Sequence, residues 1–158
     1  MQQNYYKTVD VPNGGPNGIP AKIKLDIWDT PGESSKIGVF QKNFFNGADA
    51  VIIVYSIDNA YSFKSVSEYY EQAEQVCPKE TTFIFVGNKC DLDNNRKVKM
   101  RDLADKAEEH NVEHKFETSA YPEYRGTIEA MFNAVILKVA PERRKSIMIK
   151  RAPATLSK

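Results

Sequence analysis

Thr81-Thr82-Phe83-Ile84-Phe85-Val86-Gly87-Asn88-Lys89-Cys90-Asp91 is the stretch on which the fold turns. Its first seven residues form a nearly unbroken run of aromatic, branched and small side chains, and its last four are polar. Such a run suits a strand covered on both faces, because a strand covered on one face would alternate. Ala50-Val51-Ile52-Ile53-Val54-Tyr55-Ser56 is a second run of the same kind. Between the two, residues 62–76 set Phe63, Val66, Tyr70, Ala73 and Val76 or Cys77 at helical spacing, and Pro78 stops the pattern. Strand, helix and strand in that order predict an α/β domain with a mostly parallel sheet and flanking helices.

The same alternation continues outward. Residues 100–110 read as a helix with a charged open side, and Lys115-Phe116-Glu117-Thr118 as a short strand. A last helix from about 126 to 139 carries Ile128, Met131, Phe132, Val135, Ile136 and Val139, with Pro141 at its end. Upstream, Lys22 to Trp28 has period two, with Ile23, Leu25 and Ile27 on one face. Thr8-Val9-Asp10-Val11 reads as its partner strand across a Pro- and Gly-rich loop, residues 12–18. The domain is thus expected over residues 1–140. Residues 141–158 read as a basic C-terminal tail, solvated, with Arg143-Arg144-Lys145 and Lys150-Arg151.

Composition narrows the function classes. The formal net charge of +1 gives no field to attract nucleic acid, so none is expected as a partner. Cys77 and Cys90 have neither metal nor redox spacing and read as reduced thiols, which suits a cytoplasmic chain. No apolar stretch is long enough for a transmembrane segment. The basic tail suits at most weak, peripheral contact with an anionic organelle membrane, and Thr155-Leu156-Ser157-Lys158 holds no prenylation cysteine.

In parallel α/β sheets the ligand lies beyond the carboxyl ends of the strands. Asp29, Asn88 and Ser119 each follow a strand, so one crevice can hold all three. An N-K-x-D segment in that place suits guanine. The Asp91 carboxylate accepts from the ring N–H and the exocyclic amine, a donor pair that adenine lacks. Lys89 lays its stem along the ring, and Asn88 ties neighbouring loops together.

Asn88-Lys89-Cys90-Asp91, with Trp28-Asp29-Thr30-Pro31-Gly32-Glu33 before it and Glu117-Thr118-Ser119-Ala120 after it, resembles a Ras-superfamily small GTPase, Rab-like first and Ran-like second. The resemblance covers nearly the whole chain and implies a P-loop NTPase-like domain. It implies guanine binding by Asn88, Lys89, Asp91, Ser119 and Ala120, with Tyr121 in place of the usual Lys. It implies a phosphate and switch element of Asp29, Thr30 and Gly32, with Asp29 holding Mg²⁺ through a water and the Gly32 N–H near the terminal phosphate. Glu33 stands where the family has a catalytic Gln. Two readings of it stay open: a water-positioning carboxylate opposed by the triphosphate charge, or an exposed Glu at a helix start. The implied cofactors are Mg²⁺ with GTP or GDP. The implied partners are effector and regulatory proteins, and the implied role is a GTP-hydrolysing switch in vesicle and protein transport.

One part of the family pattern is absent from these residues. No G-x-x-x-x-G-K-[ST] loop occurs, nor the strand and helix that flank it. Gly14, Gly15 and Gly18 are no substitute, since no Lys-Ser or Lys-Thr follows. A gapless register puts Tyr6 where the family has a Mg²⁺-binding Thr, and Thr8 fits only after a shift of two residues. Guanine-nucleotide binding is therefore expected to be weak or lost. The chain reads as an N-terminally truncated Rab-like GTPase, with a nucleotide-independent pseudo-GTPase interaction module as the alternative. The family's first strand lies centrally, between the strand ending at Asp29 and the strand beginning near Ala50. Without it two edges are unpaired, so the sheet is expected to close up, recruit a partner or stay poorly ordered.

Overall fold

The computed structural model describes residues 3–11, 21–30, 45–139 and 146–151. Their strands are β1 (Gln3–Val11), β2 (Ala21–Thr30), β3 (Ala48–Ser56), β4 (Thr82–Asn88), β5 (His114–Thr118) and β6 (Ser146–Arg151). The helices are α1 (Ala60–Glu74), α2 (Met100–Glu109) and α3 (Arg125–Val139), with short 3₁₀ turns at Cys90–Asn95 and Pro122–Tyr124. The sheet order is β1-β2-β6-β3-β4-β5. β1 runs antiparallel to β2, and every other neighbouring pair is parallel. The expected α/β small-GTPase-like sheet is therefore present. The loop at 12–18, together with Pro31, Gly32 and Glu33, lies outside the described residues.

The unbroken apolar runs are explained by what covers each face. Val51, Ile53, Tyr55 and Phe85 bury against Val66, Tyr69 and Tyr70 of α1 and Leu103 and Ala107 of α2. The alternate residues Ala50, Ile52, Ile84 and Val86 bury against Met131, Val135, Ile136 and Val139 of α3, with Val11 and Leu25 from the hairpin. α1 begins at 60 because Asn59 caps it: Asn59 Oδ1 accepts from the N–H groups of Tyr61 (2.9 Å) and Ser62 (3.2 Å). The buried Ser62 hydroxyl accepts from Ser56 N–H at 3.0 Å and so ties α1 to the end of β3.

Residues 146–151 depart from the reading of 141–158 as a tail. They form β6, which fills the seam between β2 and β3. The physical reason is the pair of unpaired edges that the missing strand would leave. Rows of unmatched N–H and C=O groups in a covered sheet cost far more than ordering one segment. Ser146-Ile147-Met148-Ile149 supplies the apolar run that such a position needs. Of the outcomes expected for the open seam, none named the chain's own C-terminal segment.

Gly87 in β4 is required by its neighbour. A Cβ there would lie 2.7 Å from the Tyr55 hydroxyl oxygen, 3.0 Å from its Cζ and 3.1 Å from Ile57 Cγ2. The Tyr55 hydroxyl is buried without a hydrogen-bond partner. Gly87→Ala is expected to lower unfolding free energy by about 1–3 kcal/mol through overpacking. Tyr55→Phe is expected to leave stability unchanged or raised, since it removes a buried unpaired group. Urea denaturation of each variant measures both.

Burial also makes several groups harder to ionise. It pushes the Tyr69 and Tyr70 phenols each up to about 12 and the Cys77 thiol up to about 11. Tyr55 is pushed higher still, first by burial and then by the Glu117 carboxylate. The folded state thus holds these protons more tightly than the unfolded chain, where thiols and phenols ionise near 9 and 10. The associated stability is fully present below the unfolded values and is lost as pH rises through the folded ones. The urea midpoint should fall from about pH 9 to 12, with phenolate absorbance appearing late.

Candidate functional site

The carboxyl edge of the sheet is built from the ends of β3, β4 and β5. Asn88 closes β4, and its carbonyl accepts from Ile57 N–H at 3.0 Å, which fixes it beside the end of β3. Lys89 then takes a left-handed backbone, φ 63°, uncommon for a residue with a side chain. That conformation turns the chain into the 3₁₀ segment carrying Asp91, and Leu92 N–H donates to the Lys89 carbonyl at 2.9 Å.

Two side-chain bonds lace this turn to the end of β5. The Thr118 hydroxyl donates to Asn88 Oδ1 at 3.2 Å, and the Ser119 hydroxyl donates to Asp91 Oδ1. Ser119 is wholly buried; its N–H donates to Thr127 Oγ1 at 3.4 Å, and its Oγ accepts from Tyr121 N–H at 3.2 Å. Ala120, next in the chain, is exposed. Lys89 Nζ lies 3.7 Å from Asp58 Oδ1, and Asp58 also accepts from the Ser56 hydroxyl. Asn88, Lys89, Asp91, Ser119 and Ala120 thus share one patch of the edge.

Arg96 was not singled out by the sequence reading as a site residue. Its guanidinium clamps Glu117 through two bonds of 2.6 and 2.9 Å, and it also donates to Asp93 Oδ1 at 2.7 Å and the Val98 carbonyl at 3.0 Å. These hydrogen bonds to Glu117 and Asp93 push its ionisation further up. The clamp joins the loop after β4 to β5 directly beneath the Thr118-Ser119 turn. Its only signal in the sequence was a cation between two acidic motif segments. The Cys90 thiol, beside it, is pushed up first by burial and then by Glu117 and Asp91.

Asp29 and Thr30 end β2, three strand spacings from β4. Asp29 is level with Ile149 of β6, which is level with Ile52 of β3, while Asn88 is level with Ser56. From strand spacing and rise, Asp29 and Asn88 are on the order of 15–20 Å apart. They share an edge without touching, and only an extended ligand of nucleotide length meets both. Tyr6 and Thr8 do not stand beside Asp29. In the hairpin register Gln3 is level with Asp29, Tyr6 with Asp26 and Thr8 with Lys24. Those offsets are about 10 and 17 Å along the strand. The Tyr6 ring instead carries Lys24 Nζ 4.1 Å from its centroid.

Mg²⁺ binds through one or two carboxylates together with waters and phosphates. Asp29 offers one carboxylate at the strand end, and no group of three or more His, Cys, Asp or Glu among the described residues could hold a metal. The donor set fits Mg²⁺ held jointly with nucleotide phosphates and not a dedicated cage. Among the described residues no helix is long and apolar enough to cross a membrane.

A parallel α/β sheet whose carboxyl edge laces an N-K-x-D turn to a T-S-A turn defines a small-GTPase domain. The Ras family profile matches residues 2–140. The chain is 30% identical over 115 residues to the GTP-binding protein ypt4 of Schizosaccharomyces pombe, covering 73% of this chain and 48% of that protein. It is 33% identical over 119 residues to the Ras-related protein RabQ of Dictyostelium discoideum, covering 75% and 56% respectively. Against the Ras-related protein Rab-10 of Diplobatis ommata, identity is 34% over 99 residues, covering 63% and 48%. The chain belongs to the Ras family and, within it, is Rab-like. It spans about half the length of these relatives.

Replacing Arg96 by Ala leaves the mostly buried Glu117 carboxylate without its cation. The expected cost is about 2–3 kcal/mol, below that of a fully buried pair because both groups keep some solvent. Arg96→Ala/Glu117→Gln should recover part of that loss in urea denaturation, because the charge is removed with its partner.

Proposed function

We propose that the chain is a guanine-nucleotide-binding module of a Rab-like switch in vesicle and protein transport, with a strong hold on the base and a weak hold on the phosphates. The observation that carries the reading is the lacing of Asp91 to Ser119 and Asn88 to Thr118 across the ends of β4 and β5. These bonds hold the base-reading carboxylate in place before any ligand arrives, so little ordering cost remains on binding. Lys89 supplies the apolar stem along the ring, and the backbone at Ala120 the donor for the base carbonyl. The exposure of Ala120 suits that contact.

The phosphate side has fewer resources. Asp29 would hold Mg²⁺ through a water, with Thr30 and the Gly32 backbone beside the terminal phosphate. When bound, Mg²⁺ supplies charge neutralisation for the phosphates. Glu33 places a carboxylate where the family uses Gln, and repulsion from the triphosphate opposes its action on water, so hydrolysis is slow. Effector and regulatory proteins are the proposed partners. A second reading, a pseudo-GTPase that presents its surface without nucleotide, is supported by β6 occupying the seam of the family's phosphate-loop strand.

Calorimetry distinguishes the two. Guanosine and GDP should bind with similar affinity, since most of the contact is to the base, and Asp91→Ala should lose both. Inosine lacks the exocyclic amine and forfeits one charge-assisted hydrogen bond, about 1.5–3 kcal/mol. It should bind about 10–150-fold more weakly than guanosine. Absence of heat with guanosine, GDP and GTP alike would favour the pseudo-GTPase reading.

A further inference from the structure

The turn after β3, Ser56-Ile57-Asp58-Asn59, is sewn to the N-K-x-D turn and to the loop beyond it. Ile57 N–H donates to the Asn88 carbonyl at 3.0 Å, and the Ile57 carbonyl accepts from Lys97 N–H at 2.8 Å and Val98 N–H at 3.0 Å. Asn59 N–H closes the turn on the Ser56 carbonyl at 3.0 Å. Asp58 therefore stands on backbone that is fixed on both sides. Its side chain is fixed as well, because Oδ1 accepts from the Ser56 hydroxyl. The base contacts assigned to Asn88, Lys89, Asp91, Ser119 and Ala120 leave this carboxylate unused.

Lys89 is fixed at its backbone only. Its left-handed φ of 63° and the bond from Leu92 N–H to its carbonyl at 2.9 Å set where the side chain starts. Beyond Cβ a lysine stem has more rotamer freedom than most side chains, and its ammonium is strongly hydrated. Without a partner, Nζ would follow the water and the stem would sweep over the edge of the sheet. A flat ring stacked on the stem needs it in one place. Nζ has such a partner: it lies 3.7 Å from Asp58 Oδ1, with the Lys89 side chain 50% and the Asp58 side chain 27% exposed. The stem is thus held at both ends, by the turn at one and by a carboxylate at the other.

We propose that Asp58 is a positioning residue of the base site. Oriented by the Ser56 hydroxyl, it draws the Lys89 ammonium to one side, so that the methylene stem and not the charge lies along the guanine ring. Asp58 touches no part of the base and acts through Lys89. This role rests on the reading of the edge as a guanine site.

Guanosine is the probe, because it carries no phosphate whose charge Asp58 could repel. Asp58→Asn keeps an acceptor for the Ser56 hydroxyl and removes the charge. Calorimetry should show guanosine binding to Asp58→Asn about 2–5-fold more weakly than to the parent, the range for a partly exposed ion pair. That gap should narrow in high salt, which screens such a pair. Lys89→Met keeps an apolar stem without a charge. In the Lys89→Met background Asp58→Asn should change guanosine affinity no further, since its action passes through the ammonium. Equal guanosine affinity of the parent and Asp58→Asn overturns the proposal and leaves the base reading standing. So does a loss of the same size in both backgrounds, or one that salt leaves unchanged, either of which would make Asp58 part of the turn's framework alone. A parent protein that binds no guanosine overturns the base reading itself, and the role of Asp58 with it.

Discussion

Two facing edges of a covered sheet cannot be left open, and the rest of this structure depends on that constraint. β2 and β3 each present a row of backbone donors and acceptors towards the other, with helices over one face of β3 and α3 over the opposite face. Water cannot satisfy groups in that position, and an unmatched buried amide costs about 1–3 kcal/mol. A strand in the seam satisfies both rows at once. β6 does so in parallel register with both neighbours, which keeps β2 and β3 pointing the same way. That common direction brings Asp29 and Asn88 to one edge of the sheet.

The same edge shows why the site sits on turns. The ends of β3, β4 and β5 are each bonded to a neighbouring turn: Ser56 N–H donates to Ser62 Oγ, the Asn88 carbonyl accepts from Ile57 N–H and its Oδ1 from the Thr118 hydroxyl, and just past β5 the Ser119 hydroxyl donates to Asp91. The left-handed Lys89 is tolerated because these bonds over-determine its position. Beneath them, Arg96 bonds Glu117 and Asp93 and so braces two loops with one planar group. The result is a patch made rigid by the protein itself.

Much of this was legible in the residues. The apolar runs at 50–56 and 81–87 announced strands covered on both faces, and the burial of Val51, Ile53 and Phe85 on one side and Ile52 and Ile84 on the other is what such runs require. The N-K-x-D and T-S-A segments were placed at strand ends by the alternation of strand and helix alone. Tyr6 and Thr8 were harder, because a hairpin register cannot be read from one strand; the pairing of Gln3 with Asp29 sets both well away from the edge. β6 was hidden for a different reason. Ser146-Ile147-Met148-Ile149 is short, flanked by cations and attached to a charged segment, so local composition resembles a solvated tail. Its strand character comes from the seam it fills, a long-range fact that no local window holds.

The seam also divides the site into two mechanical halves. Residues 45–139 carry β3, β4, β5, α1, α2 and α3 as one continuous stretch, and with them Asn88, Lys89, Asp91, Ser119 and Ala120. Asp29 and Thr30 belong to the β1–β2 hairpin, which pairs on its far side with β6. Residues 45–139 therefore have their own covered sheet and both helical layers, whereas the hairpin is joined to them through the ladders of β6 and through Val11 and Leu25 in the α3-side core. Loss of β6 from the seam would leave Asn88, Asp91 and Ser119 laced as before and would leave Asp29 held only by the apolar packing of the hairpin against the core. The patch of Asn88, Asp91 and Ser119 is thus the sturdier part of this edge, and its fixed placement relative to Asp29 depends in part on the strand that bridges the two halves.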